Sequence, residues 1–139
     1  MELKLQFSPI PENASTFADQ IVQAARDVSK VELDYSQESL VLVDRILEDF
    51  IRDKLTPEQI GETLFGFGCY VGEVFVRNAG GIWKNTTETP MKSFAGVPIV
   101  IKMPDGSIVN PVGKVFKCVE NAEVGALPYF YHVFVTRKL

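Results

Sequence analysis

Apolar and polar residues alternate one by one at the start of the chain. Leu3, Leu5 and Phe7 fall on one side, and Glu2, Lys4 and Gln6 on the other. A period of two predicts a half-buried strand over residues 2–7, ended by Pro9 and Pro11. The period then lengthens to that of a helix. Phe17, Ile21, Ala24, Ala25 and Val28 recur at helical spacing behind the candidate caps Asn13, Ser15 and Thr16, with Asp19 in the first turn. This predicts a first helix over residues 15–30. After a connector at residues 31–35, Ser36 is placed to cap a second helix with Glu38 in its first turn. Leu40, Val43, Leu47, Phe50 and Ile51 form its stripe, Leu42 and Ile46 widen it, and Asp44, Arg45, Glu48, Asp49, Arg52 and Asp53 are assigned to its wet face. A stripe this wide suits a helix with more than one neighbour.

The best-marked segment is residues 56–81. Thr56 is a good N-cap, Pro57 suits the first helical position, and Gln59 completes a capping box. Ile60, Leu64, Phe67, Val71, Val74 and Phe75 make a core stripe, and Gly80-Gly81 supplies a left-handed stop. Gly61, Gly68 and Gly72 lie nearly on one line beside the stripe, and Gly66 adds a fourth. Each glycine costs about 1 kcal/mol relative to Ala, so close approach of neighbouring backbone is expected to offset several kcal/mol. Residues 82–84 read as a strand, 85–93 as a polar loop, and 97–103 as a strand entered at Pro98. Pro104-Asp105-Gly106 predicts a hairpin turn with a return at 107–109. Asn110-Pro111 starts a fourth helix carried by Val112, Val115, Phe116 and Val119. Over residues 123–135, Leu127, Phe130, Tyr131 and Phe134 fit a helix, while Tyr131, Val133 and Val135 fit a strand; the balance favours helix. The order is an N-terminal strand and three helices, a small antiparallel meander, and C-terminal helices. That is one α+β domain over residues 1–139.

Composition narrows the partners. The chain has 139 residues and a formal net charge of −4. Residues 1–62 hold 13 acids and 6 bases, and residues 63–139 hold 5 acids and 8 bases. No basic stripe of the kind that binds nucleic acid is visible. The acidic half reads as a solvated face or as a surface that steers a basic partner. Residues 1–13 contain no apolar signal-peptide stretch, and no apolar run approaches the ~18 residues of a membrane span. Cys69 and Cys118 have neither zinc nor disulfide spacing. A soluble cytoplasmic protein is therefore expected, with no membrane or nucleic-acid partner.

No phosphate loop, dinucleotide fingerprint or nucleophile elbow is present. The glycines of residues 61–72 follow no strand, so they are not a nucleotide turn. Their GxxxG spacing belongs to a membrane only in an apolar segment, which Glu62, Glu73 and Arg77 exclude. His132 is the only histidine, so a metal site lacks ligands and none is expected; nor is a cofactor. A Cys–His nucleophile would need His132 to meet Cys69 or Cys118. Glu62 and Glu73 lie on one helix face and would flank a cleft as acid and base. The simpler account pairs Glu73 with Arg77 at i,i+4 and places Glu62 near the helix N-terminus. For binding, Trp83 follows the double glycine, Tyr35 precedes a cap and Tyr70 sits beside the glycine line. Such aromatics are either core or interface anchors.

Three stretches carry a resemblance: LDYSQESLVLVDRIL (33–47), FGCYVGEVFVRNAGGIWK (67–84) and PDGSIVNPVGKVFKCVENAEVGALPYFYHVF (104–134). With their LDYS helix start, YxGE and GGxW motifs and Asp-Gly hairpin leading to an Asn-Pro helix, they resemble a family of small uncharacterised bacterial proteins. The resemblance runs from Leu33 onward. It implies a domain of unknown function, in some members an immunity partner of a secreted toxin, with a helical tail over 123–135. It brings no catalytic residues. Asp34, Tyr35, Tyr70, Glu73 and Trp83 are the candidate binding surface.

Two functions from different classes are expected to compete. The first is a non-catalytic protein-binding domain, in its sharpest form an immunity-type inhibitor of a toxin. The second is a small enzyme or ligand-binding domain using a cleft beside the glycine-rich helix, lined by Tyr70, Glu73 and Trp83. A homo-oligomer built on the second helix or the meander edge is a further reading.

Overall fold

A computed structural model describes residues 5–90 and 96–136. The architecture is α+β: five helices around a three-stranded antiparallel sheet. Helix α1 (Ala14–Ala24) is followed by α2 (Ser39–Arg52) and α3 (Pro57–Ala79), then strands β1 (Ile82–Asn85), β2 (Ile99–Lys102) and β3 (Ile108–Val109), and helices α4 (Pro111–Glu120) and α5 (Leu127–Val135). The sheet order is β1-β2-β3. Trp83 pairs with Ile101, and Ile101 pairs in turn with Val109.

The best-marked helix is the central one. Thr56 Oγ1 accepts from the Gln59 N–H, and Gln59 Oε1 accepts from the Thr56 N–H, which completes the capping box. Every residue from Leu64 to Phe75 is buried. Gly80 ends the helix at φ 77°, with its N–H on Phe75 O. α1 and α4 pack on α3, and the glycines explain how closely. A Cβ at Gly68 would stand 2.6 Å from Val112 Cα on α4. At Gly66 it would meet Ile21 of α1 at 2.8 Å, and at Gly72 the Trp83 ring at 2.2 Å. The expected backbone approach occurs at Gly68; at the other two glycines a side chain takes the space. One hydrophobic cluster, from Ala14 to Tyr131, unites all five helices with the sheet.

Elsewhere the predicted elements shift. Residues 5–7 form no strand, and residues 2–4 of the expected N-terminal strand lie outside the described residues. The α-helical winding of α1 stops at Ala24, and a π-helical turn, Ala25–Ser29, follows. Its wider turn rotates Val28 off the apolar stripe, leaving it 81% exposed. α2 starts at Ser39 with Glu38, not Ser36, as its N-cap residue and no capping side chain; the Ser36 Oγ instead accepts from the Ser39 N–H at 3.2 Å within the turn before the helix. Asp44 falls on the wet face of α2 by its spacing but is buried, because α5 arrives from 83 residues away and sets the Leu127 N–H against its Oδ1. The Asp-Gly hairpin forms, with Asp105 Oδ1 accepting from the Ser107 N–H. Asn110 Oδ1 caps α4 through the Gly113 N–H at 2.8 Å. Residues 123–135 contain helix α5, not a strand. The last residues of the polar loop, 91–93, lie outside the described residues. Among the described residues no helix is long and apolar enough to cross a membrane.

Candidate functional site

The connector between α1 and α2 is held in an unusual conformation. Asp34 Oδ1 accepts from both the N–H and the hydroxyl of Ser36, at 3.0 and 2.6 Å. This closes a tight turn and forces Tyr35 to φ 64°, a left-handed region that a bulky residue rarely occupies. The surroundings hold Tyr35 there on every side. Its N–H donates to the Tyr70 hydroxyl at 2.8 Å, and its carbonyl accepts from Asn78 Nδ2 at 2.8 Å. Its hydroxyl donates to Asp19 on α1 at 2.5 Å. Its ring stacks on Tyr70 at 4.8 Å and lies under the Arg77 guanidinium, 3.6 Å from Cζ to the ring centre.

Tyr70 is fully buried in α3, so its hydroxyl needs partners. It accepts from Tyr35 and lies 2.6 Å from Ser39 Oγ. Ser39 spends its proton on Ser36 O, at 2.6 Å. The Tyr70 hydroxyl therefore donates to Ser39, which sets a single direction for the chain Tyr35 N–H, Tyr70 O–H, Ser39 O–H, Ser36 C=O. One turn further along α3, Glu73 is 5% exposed. Its Oε1 accepts from Arg77 Nε at 3.0 Å and its Oε2 from Trp83 Nε1 at 2.8 Å. The absence of a side chain at Gly72 lets the indole reach this oxygen. The five candidate residues Asp34, Tyr35, Tyr70, Glu73 and Trp83 thus belong to one connected assembly. Arg77 bridges its two halves, with its face on Tyr35 and its Nε on Glu73.

Asp34 is exposed, Tyr35 and Trp83 are half-buried, and the Arg77 side chain is 41% exposed. The hydroxyl and backbone N–H of Ser36 hold the Asp34 carboxyl below its usual range. Burial, reinforced by the bond to Asp19, pushes the Tyr35 phenol well up. Burial also raises Tyr70, against the opposing bond from the Tyr35 N–H. Both phenols therefore keep their protons at neutral pH. Formally, three carboxylates (Asp19, Asp34 and Glu73) surround one guanidinium, a net of −2.

Three other sequence candidates are not brought together. Glu62 is exposed while Glu73 is buried, so the two do not share a cleft. A ligand cleft beside the glycines would need the space that Ile21, Val112 and Trp83 occupy at Gly66, Gly68 and Gly72. His132 faces solvent, whereas both thiols are buried. Burial raises Cys69 strongly and Cys118 to about 11, so neither is a ready thiolate. Among the described residues no group of three or more His, Cys, Asp or Glu is arranged to hold a metal.

Arg77, Asn78, Ser39 and Asp19 were not among the candidate residues. The i,i+4 spacing of Glu73 and Arg77 was the available signal for Arg77. Asn78 and Asp19 gave none, because they meet Tyr35 across 43 and 16 residues. The chain matches no family model, no curated protein and no solved structure.

Proposed function

We propose that the protein is a non-catalytic protein-binding domain whose sharpest form is an immunity-type inhibitor docking on a basic surface of a toxin. One observation carries this reading: Asp34, Tyr35 and Arg77 stand at the outer side of an assembly locked from beneath by the buried Tyr70 and Glu73, with the exposed Asn78 holding the Tyr35 carbonyl. Tyrosine and arginine held rigid before binding are typical interface anchors, since little conformational freedom is left to lose. The excess of carboxylates over guanidinium suits a cationic partner. The non-catalytic form is favoured because both Glu73 oxygens are engaged and both phenols keep their protons. The LDYS, YxGE and GGxW motifs, which suggest the small bacterial family, converge on this assembly. The buried free thiols fit a reducing cytoplasm.

Affinity capture from extract of the native host, paired with light scattering, tests the reading. The wild-type chain retains a basic protein partner, and the exposed charge reversal Asp34→Lys weakens that complex by about tenfold or more. A chain that captures no protein and stays monomeric refutes the proposal. Equal affinity for wild type and Asp34→Lys refutes the assigned surface. A stable dimer without a captured protein favours the homo-oligomeric reading instead.

A further inference from the structure

A second polar cluster lies away from this assembly, where α2, α4 and α5 meet. Asp44 of α2 is 6% exposed. Among the described residues its one hydrogen bond comes from the Leu127 N–H, the first of α5, at 3.4 Å. Pro128 has no N–H, so Asp44 serves as a borrowed cap for a helix whose own N-cap residue, Ala126, has no capping side chain. The long, single contact leaves much of a buried carboxylate unsatisfied if it is charged.

The groups facing Asp44 come from each neighbouring element. Glu48 lies on its own helix, Lys114 and Cys118 on α4, and Glu123 on the α4–α5 linker. Among the described residues Lys114 is the one cation near it, and it is committed to Glu123 at 2.9 Å. α5 itself has little else polar to hold it. It seals the core with Leu127 and Tyr131, and sets Phe130, Tyr131 and Phe134 around Phe75 at 5.6, 4.8 and 6.4 Å. Its linker turns through left-handed backbone at Ala122 (φ 53°) and Gly125 (φ 72°).

We propose that Asp44 is a pH-sensitive latch on α5, holding the helix tightly when its carboxyl carries a proton and loosening it when ionised. Burial sets the direction. Desolvation raises Asp44 from 3.8 to about 6, against the smaller opposing effect of the Leu127 N–H. Released α5 would expose the carboxyl to water and restore its ordinary acidity. Docking and protonation therefore favour each other. The docked helix weakens as pH rises from about 4 to about 6 and stays weakened above that. α5 also supplies Tyr131, Phe134 and Val135 to the lining of a groove of about 410 Å³ that Gln37 and Asn78 line as well. Asn78 is the residue that clamps Tyr35, and the latch sets how firmly the α5 part of the lining stands. The inference does not depend on what the protein binds.

Amide hydrogen exchange by NMR on the whole chain tests it, with rates corrected for intrinsic exchange at each pH. Between about pH 5 and about pH 7.5, protection of the α5 amides falls by about tenfold, the part above pH 5 of a total of about 100-fold set by the displaced acidity. Amides of α3 change far less. Asp44→Asn keeps an oxygen for the Leu127 N–H but cannot ionise, so its α5 protection stays high at both pH values. Lys114→Met moves the wild-type midpoint upward, because the nearest cation is gone. Flat α5 protection in the wild type, an equal fall in Asp44→Asn, or an equal fall in α3 overturns the latch. Should Asp44→Asn not fold, the Leu127 amide shift in wild type decides. It must titrate near pH 6, and no titration between about pH 5 and about pH 7 overturns the proposal.

Discussion

Glu73→Gln probes the centre of the Tyr35 assembly. In the wild type, Glu73 satisfies two donors with two equivalent oxygens, Arg77 Nε at 3.0 Å and Trp83 Nε1 at 2.8 Å. Glutamine has one acceptor oxygen and one NH₂ group. Whichever way it turns, its amide nitrogen faces one of two donors that cannot accept. A hydrogen bond to a charged group contributes about 1.5–3 kcal/mol. The Arg77 side is discounted toward about 0–1 kcal/mol because that side chain is 41% exposed. The Trp83 side is buried against Gly72 and keeps most of its value. A loss of about 2–3 kcal/mol is expected, with the indole displaced. Trp83 is the only tryptophan, so one urea titration reads both effects: unfolding midpoint by circular dichroism, and native-state emission from the site itself. Trp83→Phe removes the other end of the bond. The double variant costs less than the sum of the two singles if the bond is what was lost. Glu62→Gln, exposed on the same helix, is the control and stays within about 0.5 kcal/mol of wild type. If Glu73→Gln is as mild as Glu62→Gln and leaves the emission unchanged, the assembly is not a coupled unit.

Gly68→Ala destabilises by about 1–3 kcal/mol because the new methyl meets Val112 backbone, whereas Gly66→Ala is milder because it meets the movable end of Ile21; chemical denaturation ranks the two. Lys54→Gly stabilises by about 1 kcal/mol, since this exposed residue sits at φ 58°, and its melting temperature rises. Cys69 and Cys118 resist a thiol reagent in the native protein at pH 8 to about the rate of global unfolding, and react at once in denaturant. Asp44→Asn gains about 1–2 kcal/mol over wild type at pH 7.5 and nothing near pH 4, because the folded chain holds the Asp44 proton up to about 6 and the unfolded chain releases it near 3.8; urea midpoints across pH check the sign.

Much of the fold was legible where the signal is local. The Thr56/Gln59 box, the Gly80 stop, the Asn110 cap and the Asp-Gly turn each act over four or five residues, and each is found where its spacing put it. The candidate surface was partly legible. Asp34, Tyr35, Tyr70, Glu73 and Trp83 stand out as aromatic or acidic residues beside caps and glycines; Tyr70, Glu73 and Trp83 lie on or just after α3, whereas Asp34 and Tyr35 reach them from the connector before α2. The glycines were read for small size, but which neighbour fills each one depends on the helix or strand that arrives there.

By itself, the sequence determined the long buried helix, its ends, the hairpin and the α+β class, because propensity, capping and periodicity are properties of neighbouring residues. Only the tertiary structure decided that Asp44 enters the core and that Arg77 lies over Tyr35. Asp44 turns on a partner 83 residues distant, and Arg77 on one 42 residues distant. A carboxylate drawn on the wet side of a helical wheel becomes buried once another helix lands on it. No pattern along α2 alone carries that information.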